Sequence, residues 1–311
     1  MNSATTRTGV LTAFGAAAIS GVAVFVNGYG VRAVPDATVY TTAKNLVAAA
    51  VLCLIALLMA LRARRGPHVV RPAHRRAHWW GLAVLGVIGG SVPFVLFFEG
   101  LARASSTHAA FLQKTLVVWV ALLAVPALGE RLRAIHVAAL VLFVGGLVVL
   151  DDGLSGFAFG AGEALVLSAT LLWAIEVVLA KRLLRGFAPQ TVGVARMGLG
   201  ILALLAWVAV TGRWPALSGL SAAGWRWAVV TGLILAGYVT VWFMALAKAP
   251  AVDVTAILVA GAVLTGVLNT AFKGAALPAV NLAALTALLG GAVLVGVGAA
   301  RRPATVQVRS R

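Results

Sequence analysis

Hydrophobic positions dominate this 311-residue chain and fall into long apolar stretches that are separated by short polar links. Each stretch approaches the roughly 20 residues that a helix needs to cross the hydrocarbon core of a bilayer. The pattern therefore predicts ten membrane-spanning helices, at residues 11–33, 38–61, 80–101, 105–128, 133–150, 160–180, 189–212, 225–246, 252–272 and 281–300.

The predicted spans fall into two groups of five. We expect a first repeat at residues 1–152, a second at residues 153–303 and a tail at residues 304–311. Because five is an odd number, the second repeat would enter the membrane from the opposite side. Inverted repeats of this kind are typical of secondary transporters, whose solute site lies between the repeats near the middle of the membrane.

Composition and charge agree with a membrane protein. Hydrophobic residues make up 62% of the chain and charged residues 11%, whereas soluble domains are about 25% charged. The net charge of +17 could indicate a nucleic-acid partner. With the N-terminus inside, however, 17 of the 25 Lys and Arg residues lie on the cytoplasmic side and 5 outside. This bias predicts cytoplasmic termini, a cytoplasmic tail and a lipid bilayer, not nucleic acid, as the partner; we expect the cytoplasmic (inner) membrane.

Several chemistries are not indicated. Cys53 is the single cysteine, so no intramolecular disulfide can form, and we expect it to be a small buried side chain. The histidines cluster in the basic link after the second span, and there is no glycine-rich loop that ends in Gly-Lys-Ser/Thr. We therefore expect no metal site, no cofactor and no catalytic residue. Active transport would then depend on an ion gradient or on the solute's own gradient.

Lys114 is the leading candidate for solute binding. Ionisable side chains inside a span cost roughly 2.5–3.5 kcal/mol on insertion scales and usually face a cavity or a partner. Lys114 lies far from both ends of the fourth span, and Thr107 and Phe111 share its helix face. Such a face could bind a carboxylate while the ring covers an apolar group. The alternative is a structural ion pair between Lys114 and Glu99.

Two acidic residues are candidates for ion coupling. Glu176 lies deep in the sixth span, where a carboxylate could take up and release the proton of an antiport cycle. The alternative is an ion pair with Arg196, which lies at a similar depth on the next helix. Glu99 is the second candidate, and its alternative is a surface pair with Arg103, four residues further on.

Three further charges are interpreted as structural. Lys44 lies close enough to the outer boundary for its ammonium group to extend there. Lys44 in the second span and Arg196 in the seventh occupy corresponding positions of the two repeats. Glu130 lies beside Arg131, where its charge would suit the N-terminus of the fifth helix.

Deep amides and aromatic rings complete the set of candidates. Asn27 and Asn269 could form hydrogen bonds between helices or line a cavity. The aromatic side chains of Trp173, Tyr238 and Trp242 lie deep in their spans. They could line the solute cavity or simply pack against neighbouring helices.

Short motifs resemble the EamA family of the drug/metabolite transporter superfamily, over nearly the whole chain and as two units. Related runs at 98–104 and 243–249 close the third and eighth spans, and the run at 109–116 opens the fourth. A Gly-Glu signature at 128–132 precedes the fifth span, and a tryptophan pattern at 171–174 lies in the sixth. The second half departs from the family pattern, because Lys273-Gly274 replaces the Gly-Glu signature. The first span lacks the tryptophan pattern and has Ser20-Gly21 in that region.

The resemblance implies an all-α integral membrane protein with ten helices in two inverted five-helix repeats. It also implies alternating-access export of a small metabolite, often an amino acid, through a cavity formed by the first, third, fourth, sixth, eighth and ninth spans. Three in-span cations outnumber two in-span acids, which favours a solute with an anionic group. The alternatives are efflux of hydrophobic or cationic drug-like compounds and, in another class, a non-transporting membrane scaffold or a membrane enzyme.

Overall fold

The computed structural model describes residues 3–63, 76–101, 103–104, 109, 112–150, 159–273 and 279–300. These residues are almost entirely helical and include no strand. The helices are α1 (Ser3–Ala33), α2 (Ala37–Ala63), α3 (Arg76–Gly90), α4 (Val92–Leu101), α5 (Leu116–Leu128), α6 (Ala134–Leu150), α7 (Ala161–Leu183), α8 (Pro189–Val210), α9 (Trp214–Ser218), α10 (Ala222–Lys248), α11 (Ala251–Leu258), α12 (Gly261–Lys273) and α13 (Ala279–Ala300). Thr107, Phe111 and the predicted tail lie outside the described residues.

Eight of the predicted spans coincide with helical segments that are long and apolar enough to cross a membrane. These segments are Thr5–Ala33, Ala37–Arg62, Trp79–Leu101, Ala161–Leu183, Pro189–Val210, Ala222–Lys248, Ala251–Phe272 and Leu282–Ala300. Shorter apolar helices, Leu112–Leu128 and Ala134–Gly146, lie at the fourth and fifth predicted spans. The chain is therefore a multi-pass, all-helical membrane protein, and the total of ten spans stays a prediction.

Three of the predicted spans are interrupted. A turn at Ser91 separates α3 from α4, and the Ser91 hydroxyl donates a hydrogen bond to the carbonyl oxygen of Val87 at 3.0 Å. A turn at Thr115 precedes α5, and its hydroxyl donates to Leu112 O at 2.6 Å. The ninth span breaks between α11 and α12. Hydroxyl-to-backbone bonds of this kind compete with regular helical pairing, and an apolar pattern does not reveal them.

The two halves of the chain, α1–α6 and α7–α13, pack mainly against each other. The most extensive helix contacts are α1 with α10, α6 with α13, α2 with α8 and α10, α3 with α8, α4 with α7, α5 with α7, and α1 with α12. Contacts between helices that do not correspond come in related pairs: α1 with α10 and α4 with α7, α2 with α10 and α3 with α8, and α5 with α7 and α1 with α12. The hydrophobic core is therefore the interface between two similar halves.

Glycine permits the closest of these helix crossings. A Cβ atom on Gly90 of α3 would lie 2.0 Å from the carbonyl oxygen of Arg196 on α8. A Cβ atom on the facing Gly200 would lie 2.6 Å from the Cα atom of Gly90. A larger residue at either position would force α3 and α8 apart, which would displace Arg196 from the centre of the molecule.

The surface of α2 corrects one expectation. Cys53 is exposed, and so are its neighbours Leu54 and Leu57. In a membrane span, an exposed apolar side chain faces lipid, which solvates it about as well as the protein core does. The prediction that Cys53 is buried is wrong because an apolar side chain in a span is stable on either side of the helix.

Candidate functional site

A cavity of about 600 Å³ lies between the two halves. All six spans that the family resemblance implied contribute side chains to it, and α2, α8 and α13 contribute Lys44, Arg196 and Leu285. Nine of the residues singled out from the sequence line it: Asn27, Lys44, Lys114, Trp173, Glu176, Arg196, Tyr238, Trp242 and Asn269. Glu99 and Glu130 lie elsewhere.

Glu176 and Arg196 form a buried two-point ion pair in the cavity wall. Arg196 Nε donates to Glu176 Oε1 at 2.9 Å, and Arg196 Nη2 donates to Oε2 at 3.3 Å. The guanidinium carbon lies 5.8 Å from the centre of the Phe94 ring. This ion pair is the one given above as the alternative to proton uptake and release by Glu176. Both oxygens of the carboxylate are engaged, so the two charges neutralise each other where they lie.

Lys44 occupies the equivalent place in the first half but has a different environment. Its ammonium group donates a hydrogen bond to Asn27 Oδ1 at 3.2 Å. The same group lies 5.2 Å from the centre of the Phe98 ring, 5.5 Å from Tyr40 and 6.0 Å from Phe94. The side chain is buried, with 7% of its surface exposed. The expectation that Lys44 extends to the outer boundary is wrong, because the amide and the ring faces hold it inward.

An amide and a hydroxyl group organise this part of the cavity. Asn27 Oδ1 accepts a second hydrogen bond from the Tyr40 hydroxyl at 2.9 Å, while its Nδ2 donates to Ala23 O at 2.7 Å. The Tyr40 oxygen also lies 3.0 Å from Thr231 Oγ1 of α10. Asn27 is thus held by its own helix and presents its oxygen to Lys44.

Aromatic side chains form much of the remaining wall. Trp173 meets Phe94 edge to face at a centroid distance of 5.5 Å, and Phe97 lies 5.6 Å away. The indole nitrogen of Trp173 is buried and has no hydrogen-bond partner among the described residues. On α10, Tyr238 and Trp242 stack at 5.9 Å with an interplanar angle of 20°. Aromatic rings from α4, α7 and α10 therefore line the cavity.

Lys114 lies at the break in the fourth span, immediately before the Thr115 turn, and lines the cavity. The ninth span has its own break at Val259 and Ala260, where Ala260 N–H donates to Ile257 O at 3.0 Å in the tighter pattern of a 3₁₀ turn. Val259 also lines the cavity. Interrupted helices are tolerated at membrane depth where they border such a cavity.

The model of the EamA-like transporter family matches residues 7–150 and 160–297, one match for each half. The chain belongs to the EamA-like transporter family. It is therefore a membrane transporter of the drug/metabolite transporter superfamily rather than an enzyme. A solved structure described as "Crystal structure of protein" is similar, with a TM-score of 0.72 and 22% identity over 93% of this chain and 98% of that one. This likeness shows the shared fold. No curated protein matches the chain.

One end of the EamA-like transporter is closed by a polar network between the halves. We call this end the N-terminal face; α1 and α11 begin there, and α10 ends there. The Glu130 carboxylate accepts hydrogen bonds from the backbone N–H groups of Ala251 at 2.7 Å and Val252 at 3.0 Å. Glu130 therefore caps α11 of the second half. The expectation that Glu130 suits the N-terminus of the fifth predicted span, α6, is wrong, since its partner is 121 positions away in the chain.

A histidine and an aspartate strengthen this closure. His136 Nε2 on α6 lies 2.8 Å from Asp253 Oδ1 on α11, and both side chains are buried. His136 Nδ1 accepts the backbone N–H of Arg133 at 2.8 Å, so Nε2 is the nitrogen that donates its proton to Asp253. Both residues are missing from the candidates above. Asp253 lies within the predicted ninth span and Glu163 within the sixth, and both are buried. The count of two in-span acids, on which the preference for an anionic solute was based, is therefore wrong. The expectation that the histidines lie in the basic link fails for His136.

Lys181 completes the network on the side of the second half. Its ammonium group donates to the carbonyl oxygen of Leu246 and, at 2.7 Å, to that of Ala249. These carbonyl groups belong to the C-terminal end of α10, where a cation is favourable. The hydrogen bonds at the N-terminal face thus involve α6, α7, α10 and α11 and the link that carries Glu130.

The opposite face carries a separate group of charges outside the cavity. Glu99 binds Arg103 at 2.8 Å and Arg213 at 2.9 Å, and Arg213 also lies 3.2 Å from Asp36. The pair with Arg103 is the surface pair expected from their spacing. The contact with Arg213 joins the two halves and could not be inferred from spacing, because 114 positions separate the partners.

Proposed function

We propose that this EamA-like transporter is a secondary transporter that exports a small metabolite with an anionic group across the cytoplasmic membrane. One observation carries the proposal: Lys44, Lys114 and Arg196 line the same cavity, and Glu176 is the one acidic residue among its described lining residues. The excess of positive charge, in a site with low-dielectric walls, concentrates anions and repels cations.

The size and chemistry of the cavity support a small solute. About 600 Å³ lies within the 300–1,000 Å³ that ligand sites usually have. Tyr238 and Trp242 offer an apolar surface, and Asn27, Thr231 and Asn269 offer hydrogen-bonding groups. This combination suits a metabolite with one charged end and an apolar body.

Alternating access is supported by the arrangement of the halves. The cavity lies at their interface, and the Glu130 cap and the His136–Asp253 pair hold them together at the N-terminal face. On the orientation that the charge distribution predicts, that face is cytoplasmic. Opening it would separate α5 and α6 from α11, and the breaks at Thr115 and Val259 offer flexible points for such a movement.

Proton coupling through Glu176 or Glu99 is a separate part of the proposal. Both carboxylates are in contact with arginine, which stays charged at any physiological pH. A proton on Glu176 would therefore require the pair with Arg196 to open during the cycle. If the Glu176→Gln and Glu99→Gln proteins both keep full uptake driven by a pH gradient, neither residue is the coupling site.

The proposal is tested by counterflow in liposomes that contain the purified protein. A panel of labelled organic anions, amino acids, sugars, nucleosides and cationic drugs is offered, and we expect exchange of anionic members. Lys44→Gln and Lys114→Gln should each weaken it. Accumulation in inside-out vesicles tests the direction of export. Exchange restricted to organic cations would instead support drug efflux.

A further inference from the structure

Lys44 is a buried cation with no acidic partner in its described contacts. Its ammonium group has one hydrogen bond, to the neutral amide of Asn27, and otherwise meets ring faces. A buried charge is unfavourable unless it is paired, and a single amide does not neutralise it. Because Lys44 lines the cavity, the missing counter-ion can be supplied by whatever molecule occupies it.

A positively charged group on the solute would find no matching partner. The carboxylate of Glu176 is the described lining group that could bind an ammonium ion, and Arg196 occupies both of its oxygens. Apart from Glu176 and the cations, the polar lining groups are uncharged amides and hydroxyl groups, and Asn27 and Thr231 at the Lys44 site are already bonded to the Tyr40 hydroxyl. An ammonium group would replace its water shell with neutral acceptors and would also face the other cations.

The apolar part of the solute has a defined surface to contact. The stacked rings of Tyr238 and Trp242 line the cavity on α10, and Leu258 lies on α11. The solute that complements these features carries one anionic group at Lys44 and an apolar body.

We infer that the solute is an organic monocarboxylate with an apolar body and without an amino group, and that its carboxylate is bound by Lys44. The inference rests on the proposed function, because it assumes that the cavity is the transport site. It departs from the amino acids that the family resemblance implied, because the α-amino group of an amino acid would stay unpaired.

Two series of matched compounds test the inference. The first is 3-phenylpropanoate, phenylalanine and 2-phenylethylamine, and the second is 4-methylpentanoate, leucine and 3-methylbutylamine. Within each series the apolar body is kept while the charged groups change from anion to zwitterion to cation. Binding to the purified full-length protein is measured by calorimetry, and transport is measured by counterflow in liposomes.

We expect each carboxylate to bind at least ten-fold more tightly than the corresponding amino acid, and each amine to bind most weakly. Lys44→Gln should reduce the affinity for the carboxylate at least ten-fold, whereas Lys44→Arg, which keeps the positive charge, should retain more of it. Lys248→Gln is the matched control, because this lysine ends α10 and is not among the lining residues; it should change the affinity less than two-fold.

Three results would overturn the inference: an amino acid that binds as tightly as its carboxylate, a carboxylate affinity unchanged in Lys44→Gln, or no binding of either carboxylate. If Lys44→Gln does not fold, as judged by gel filtration, the comparison within each series on the unmodified protein still decides the solute class. The proposed function fails separately, when the liposomes exchange no anion of the wider panel.

Discussion

Lys44 and Arg196 occupy the same place in the two halves, yet their charges are handled differently. Each is the eighth residue of its helix, Lys44 in α2 and Arg196 in α8, and each lies near the ring of Phe94. Arg196 is neutralised by Glu176, whereas Lys44 has an amide and aromatic rings.

This difference separates a structural role from a binding role. A charge with a partner inside the protein stabilises the wall of the cavity and has little left to offer a solute. A charge that lacks such a partner gains most when a solute brings one. The repeated fold places both cations at the centre, and the surroundings, which are not repeated, decide what each can do.

The largest effect should come from removing the partner of Arg196. Glu176→Gln leaves a buried guanidinium without its counter-charge, and we expect a loss of about 3–5 kcal/mol in the free energy of unfolding. Thermal and denaturant unfolding of the purified protein measure it. The double variant Glu176→Gln/Arg196→Gln removes both charges and should recover most of the loss. A double variant as unstable as Glu176→Gln would contradict this account of the pair.

The second effect comes from making Lys44 resemble Arg196. Asn27→Asp places a carboxylate where the amide oxygen now lies, 3.2 Å from the ammonium group. We expect an anionic solute to bind at least ten-fold more weakly, which corresponds to about 1.4 kcal/mol, while stability is kept or increased.

Asn269→Asp is the matched control for that change, because it adds the same charge to the cavity wall at a different helix, α12. Binding titrations on both variants decide between a local and a general effect of charge. Equal losses in the two variants would mean that Lys44 has no special part in binding.

A third, smaller effect is expected at the N-terminal face, where the halves differ again. Gly129-Glu130 caps α11, whereas the second half has Lys273-Gly274 in the corresponding position. Glu130→Gln should weaken the closure by about 0.5–2 kcal/mol, the usual contribution of a helix cap.

To detect opening of that face, we would measure the distance between spin labels attached at Leu132→Cys and Gln190→Cys in a Cys53→Ser background. Leu132 belongs to the link before α6, and Gln190 to the start of α8. We expect a longer distance to become more populated in Glu130→Gln. An unchanged distribution would show that Glu130 does not keep this face closed.

The smallest effect should come from a charge pair that is exposed. Arg103 contacts Glu99 as Arg196 contacts Glu176, but its side chain is 51% exposed. Arg103→Gln should change the unfolding free energy by no more than about 0.5 kcal/mol, because water screens the pair and Arg213 still binds Glu99. The unfolding free energies of Arg103→Gln and Glu176→Gln are measured under the same conditions. A similar loss of stability in both variants would show that burial does not decide how much such an ion pair contributes.

Most helix positions could be predicted because long apolar runs are bounded by polar links. The starts of α2 and α8 follow Pro35 and coincide with Pro189, which mark helix boundaries. The breaks at Ser91, Thr115 and Val259 were missed, because a hydroxyl or a tighter turn interrupts a helix without changing its hydropathy.

Several residues of the candidate site could be predicted from the sequence, but the contacts between them could not. Buried charges, amides and rings within spans were recognised as candidates because each is unfavourable in lipid. Whether Lys44 points to the membrane boundary or to the centre depends on neighbouring helices. The partners of Glu130 and His136 lie more than a hundred positions away, so no local pattern identifies them.

The amino-acid sequence by itself determined the membrane class, the two related halves, the family and nine of the side chains that line the cavity. These follow from hydropathy, charge distribution and motifs, which are local properties of the chain. The tertiary structure alone decided which charges are neutralised: Glu176 holds Arg196, and Lys44 is left with an amide and ring faces. The reason is physical, because the cost of a buried charge depends on the groups within a few ångströms of it, and those come from distant parts of the chain.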